Sequence, residues 1–100
     1  MHFGDRIKAL RERQGLLQRQ LAANLEIDSP MYSKIERGER RAKREQVVVL
    51  AKLLNSDEHE LLTLWLAEQV LDLVKHEAVA SSALKVAVKD LPKIKQPLHK

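Results

Sequence analysis

The chain contains no cysteine, and among its 100 residues only three glycines, three prolines and three aromatic residues, Phe3, Tyr32 and Trp65. The missing thiols exclude disulfides, thiolate nucleophiles and thiolate metal sites, and they fit a reducing compartment. No run approaches the roughly 18 apolar residues that span a bilayer, and MHFGDRIKALRERQG lacks the apolar h-region of a signal peptide. A cytoplasmic protein is therefore expected, with no membrane partner. No glycine-rich phosphate loop is present, and the four histidines are scattered. His59 and His76 each open an H-E pair, but the second histidine that a zinc-binding helix needs four residues on is replaced by Thr63 or Ala80. No metal, no cofactor and no enzymatic activity are expected.

What is present is charge, apolar residues at helical spacing, and an uneven distribution of both. Residues 1–50 hold 11 Lys/Arg against 7 Asp/Glu, whereas residues 51–100 hold 7 of each. The excess concentrates between Lys34 and Arg44, where six basic residues stand among two acidic ones. Such a localised basic cluster is the electrostatic footprint of a polyanion partner. A chain this short buries only roughly 60 to 70% of its unfolded surface, so oligomerisation is a natural supplement to its core.

No segment alternates apolar and polar residues like a strand, and an all-α fold follows. Phe3, Ile7 and Leu10 predict a helix from Gly4 to Gln14, stopped at Gly15; Leu21 and Leu25 predict one from Gln18 to Leu25. In SPMYSKIERGER, residues 29–40, Met31, Tyr32 and Ile35 share one side while Ser33, Lys34 and Arg37 share the other. Proline suits a first helical turn, so Ser29 is read as the N-cap and Pro30 as the first helical residue, with Asp28 as the competing cap and Gly38 as the stop. Val47, Leu50, Ala51 and Leu54 predict a fourth helix ending near Asn55. A long fifth is predicted from Glu58 to Lys75, and a sixth helical segment from Ala78 to Leu91 in which Ser81 or Ser82 is a possible break. The spacing leaves open whether residues 58–91 form one bent helix or two. The division expected is residues 1–57 as a core that meets the polyanion partner, 58–91 as an extension that completes the core and dimerises, and 92–100 as a frayed basic tail.

Two short helices joined by a tight turn, the second with a basic outer face, match the geometry that enters a DNA major groove. GLLQRQLAANLEIDSPMYSKIERG, residues 15–38, resembles the helix-turn-helix of Xre/Cro-type regulators, whose pattern is roughly G-h-[ST]-Q-x-x-L-A-x-x-h-G-h-s-x-x-x-h-s-x-h-E-x-G. Matches fall without a gap at Gly15, Gln18, Leu21, Ala22, Leu25, Ile27, Ser33, Ile35, Glu36 and Gly38. The likeness extends more weakly from Phe3 to Leu61. It implies a five-helix, Cro- or phage-repressor-like domain, here with a long fifth helix and a sixth helical segment.

The resemblance also implies roles. Gln18 stands where the family's glutamine grips a phosphate, and Ser29, Pro30, Ser33 and Lys34 stand where base edges are met. Glu36 stands where a glutamate pairs with an arginine of the first helix, here Arg11. Arg40, Arg41, Lys43 and Arg44 occupy the loop that follows the DNA backbone. Departures are Leu17, in place of the usual Ser/Thr cap, and Glu26, in place of the turn glycine, each costing about 1 kcal/mol. With Ser29 capping, readout shifts toward Lys34, Ser33 and Arg37, and the Pro30 ring is available to a thymine methyl. Tyr32 reads as core, and Trp65 as core or dimer interface rather than as a ligand site.

These readings imply a sequence-specific transcriptional regulator that binds double-stranded DNA at a palindromic operator as a homodimer, of the kind that serves as phage-type repressor or restriction-modification controller. Surplus apolar residues Leu62, Trp65, Leu66, Val70, Leu73, Leu84 and Val88 are the expected dimer contact. The alternative is an antitoxin or other interaction module whose C-terminal helices bind a partner protein.

Overall fold

A computed structural model describes residues 2–94 of the chain. Within them the protein is all-helical: α1 (Phe3–Arg13), α2 (Gln18–Leu25), α3 (Ser29–Glu36), α4 (Arg44–Leu53), α5 (Glu58–Val74) and α6 (Ala80–Asp90), followed by a 3₁₀ turn at Leu91–Lys93. Of the basic tail expected over 92–100, residues 95–100 lie outside the described residues.

The first four helices end by one device. A residue in the left-handed region follows each of them, Gly15 (φ 70°), Glu26 (φ 59°), Gly38 (φ 78°) and Asn55 (φ 51°). The next amide then donates back five residues, Leu16 to Arg11, Ile27 to Ala22, Glu39 to Lys34 and Ser56 to Ala51, at 2.8–3.0 Å. These bonds satisfy carbonyls that a helix end leaves unpaired. Glycine reaches that backbone without strain, whereas Glu26 meets the ordinary Cβ penalty. The tight turn between α2 and α3 therefore forms despite the missing glycine.

The chain divides into two compact units between Gln69 and Val70, inside α5. In the first unit the apolar stripes of α1 to α5 converge on one core in which Ile7, Leu21, Tyr32, Val47, Leu50, Leu54 and Leu61 are wholly inaccessible or nearly so. Each such side chain contributes on the order of 1.5–3 kcal/mol of burial. Leu62 and Trp65, expected at a dimer contact, pack against this core of their own chain. Gly4 lies where α1 meets the end of α3, and Ala22 gives the second helix a small, buried contact face.

The second unit holds the end of α5, a turn over residues 75–79, α6 and the 3₁₀ turn. Residues 58–91 are thus two helices rather than one. The break comes before Ser81 and Ser82, with Val79 in the cap position and α6 beginning at Ala80. No residue of α6 is buried, and Val79, Val86, Val88 and Leu91 are all more than half exposed.

Candidate nucleic-acid interface

The interface is built around α3. Asp28, in extended backbone, caps it: its Oδ1 accepts from the Met31 amide at 2.8 Å. Ser29 is the first helical residue and Pro30 lies in the first turn, which corrects the expectation that Ser29 is the cap. The physical reason is that a carboxylate is favoured over a hydroxyl at the positive end of a helix, and all first-turn amides lack partners, so the proline tolerates either register. The Ser29 hydroxyl is consequently not used for capping. Asp28→Ala should cost about 1 kcal/mol of stability, measured by denaturant unfolding, whereas Ser29→Ala should cost little.

Tyr32, Ile35 and Glu36 turn inward, while Pro30, Lys34 and Arg37 are exposed at spacings of four and three residues and so form one outward ridge. Ser29 and Ser33 are partly exposed beside it. Arg37 is engaged within the chain. Its Nε and an Nη donate to the two Glu39 carboxylate oxygens at 2.9 and 3.3 Å, and its other Nη donates to Ser33 Oγ. The Arg37 contact holds the Glu39 carboxyl below its ordinary range, and reciprocally raises Arg37. Both side chains are exposed, so a base or phosphate can exchange for this pairing at little cost.

Behind the ridge, Glu36 holds α3 to the two preceding helices. Arg11 reaches it in a two-pronged pair, Nε to Oε2 at 2.7 Å and Nη2 to Oε1 at 3.1 Å, and Arg11 Nη1 donates to the Leu16 carbonyl at 3.0 Å. Gln18 Nε2 adds a third donor to Glu36 Oε1 at 3.0 Å. The Gln18 amide is therefore directed toward Glu36, and what α2 offers at this end is its own N-terminus. Leu17 supplies no side-chain cap to that N-terminus, and Gln20 Oε1 accepts from the Leu17 amide at 2.7 Å. Burial pushes the Glu36 carboxyl up, but the donors from Arg11 and Gln18 and the nearby Tyr32 hydroxyl outweigh it and hold the group below its ordinary value. Burial, reinforced by that same carboxylate, drives the Tyr32 phenol well above its usual range, so the ring is a neutral core element.

The basic loop from Gly38 to Lys43 is held at several points. The Lys34 carbonyl accepts from the Glu39 and Arg40 amides at 2.9 and 3.3 Å, Ala42 is buried, and the Lys43 amide donates to Gln46 Oε1 at 2.8 Å. Arg40, Arg41, Lys43 and Arg44 remain exposed around this anchored backbone. Trp65 supplies a further anchor that its sequence position does not signal: its Nε1 donates to the Ala42 carbonyl at 2.7 Å, and the Arg44 guanidinium sits 5.5 Å from its ring centroid. Among the expected dimer residues, Leu66, Val70, Leu73 and Val88 are exposed and Leu84 partly so. No helix among the described residues is long and apolar enough to cross a membrane, and no three metal-ligating side chains gather there.

No curated protein and no solved structure gives a significant match. A family model described as a helix-turn-helix domain matches residues 2–64, the span that carries α1 to α4 and the first turns of α5. With the tight turn after α2, the buried arginine-glutamate pair behind α3 and the family match over more than half its length, this chain belongs to the helix-turn-helix domain family of DNA-binding regulators.

Proposed function

We propose that the protein is a sequence-specific transcriptional regulator that binds a palindromic operator as a homodimer. The observation that carries this reading is the exposed ridge of Pro30, Lys34 and Arg37 on a helix whose inner side is fixed by Glu36, followed by an anchored loop with Arg40, Arg41 and Lys43 that leads into Arg44 at the start of α4. The division of labour is physical. Arg40, Arg41, Lys43 and Arg44, with the uncapped start of α2, meet phosphates, and release of counterions from the duplex provides much of the affinity. Base edges are read from the ridge: Lys34 donates to guanine acceptors, Ser29 and Ser33 offer hydroxyls, and the Pro30 ring packs on a thymine methyl. Arg37 joins by exchanging Glu39 for a base acceptor.

The dimer reading rests on the apolar residues left uncovered beyond the core. Leu66, Val70 and Leu73 follow one another at spacings of four and three residues, and so do Leu84, Val88 and Leu91. That is the spacing of a seam between helices. A twofold pair of α3 ridges would place half-sites about 34 Å apart on the duplex. Phage-type repression or control of restriction-modification genes are the roles that suit such a regulator. The same uncovered residues support a second reading, an antitoxin-like module whose C-terminal helices bind another protein.

Lys34→Ala is the direct test of the ridge. Affinity for the preferred site should fall by about 1–3 kcal/mol, with relaxed preference at one base position. Unchanged preference in a binding-site selection would remove Lys34 from the reading set.

A further inference from the structure

We infer that Trp65 is a positioning residue for DNA binding, which sets the phosphate-contacting loop from α5 without touching DNA itself. The inference rests on the DNA-binding reading above and adds a residue and a mechanism to it. Between α3 and α4, Arg40, Arg41 and Lys43 stand on a short stretch of irregular backbone that leads into Arg44, the first residue of α4. Hydrogen bonds to the Lys34 carbonyl and to Gln46 hold its two ends, and two contacts with one side chain add a hold from α5. The indole Nε1 donates to the Ala42 carbonyl at 2.7 Å, in the middle of the loop, and the indole ring lies under the Arg44 guanidinium at 5.5 Å, at its end. Ala42 is buried, so the flanking Arg41 and Lys43 are exposed on either side of a pinned residue.

Stacking uses the face of the guanidinium and leaves its N–H edges to a phosphate, so the ring orients Arg44 without competing for its hydrogen bonds. A loop ordered before DNA arrives also loses less conformational freedom on binding.

The test uses the full chain and a short mixed-sequence DNA duplex. Trp65→Phe keeps a ring for packing but cannot donate to Ala42. It should bind the duplex several-fold more weakly at low salt, and the slope of log affinity against log salt should be shallower than the parent's by about one, the signature of one lost phosphate contact. A residue that only supports the core would lower the melting temperature and leave the slope unchanged. Folded Trp65→Phe protein with the parent slope overturns the inference. If the variant does not fold, the parent decides: Trp65 is the only tryptophan, and its emission should change on adding duplex at low salt and recover as salt is raised. Constant emission from a DNA-bound parent then overturns the inference. A parent that binds no duplex at low salt instead defeats the DNA-binding reading beneath it.

Discussion

Glu36→Ala should destabilise the protein by about 3–5 kcal/mol, because it leaves the Arg11 guanidinium buried without its counter-charge. Arg11 and Glu36 expose 10% and 2% of their side chains, so water can replace little of the lost pairing. The same change strands the Gln18 amide, which also donates to Glu36. Against the 5–15 kcal/mol typical of a domain, the loss is a large fraction of the total. Thermal unfolding followed by circular dichroism measures it, and a loss under about 1 kcal/mol would mean that the pair is weakly coupled to folding. Glu36→Gln separates charge from shape through pH. The folded carboxyl titrates below its ordinary value of 4.5, so the unfolded chain binds the proton more readily. Glu36 therefore contributes fully above that value, and its contribution is lost as pH falls through the lower folded pKa. The parent should lose stability in that acid window relative to Glu36→Gln.

Gly4→Ala should destabilise the protein by about 3 kcal/mol or more, the upper range of overpacking effects. Local propensity argues the opposite: alanine is favoured over glycine inside a helix by about 1 kcal/mol. Packing decides the sign. A Cβ at Gly4 would lie 2.3 Å from the Glu36 carbonyl oxygen, 2.9 Å from its carbon and 2.9 Å from the Ile35 carbonyl oxygen. All three are backbone atoms at the end of α3, so no rotamer change relieves the contact, and α1 must move away from the helix it supports. For a domain of this size the melting temperature should fall by on the order of 15 °C. An unchanged or raised value would show that the two helices separate freely at this crossing.

These two sites show where the sequence was legible. The apolar spacing of α1 to α5 and the stops at Gly15 and Gly38 are local signals, and the helices lie where those signals put them. The Arg11–Glu36 contact joins residues 25 apart, so spacing alone cannot reveal it; only the likeness to related regulators pointed to it. Gly4 gave no signal of its close approach, because a glycine near a helix start looks permissive until the neighbouring helix is in place. The cap of α3 turned on a competition between adjacent Asp28 and Ser29 that differs by a fraction of the capping energy, and it went to the charged group. Trp65 read as core or interface because its partners, Ala42 and Arg44, lie more than twenty residues away. In the C-terminal part, apolar spacing correctly marked helices but could not separate residues that cover this chain's own core, Leu62 and Trp65, from those left exposed, Leu66 to Val88.

In the proposed function, α3 reads a specific duplex sequence and two copies do so together. Selection of bound sequences from a pool of random double-stranded DNA, carried out with this chain at moderate salt, tests both at once. A palindromic consensus is expected, with half-sites centred about one helical turn apart and narrowed at the position lost in Lys34→Ala. A single unrepeated half-site would contradict the dimer, and a pool left without enrichment would contradict sequence reading by α3 altogether.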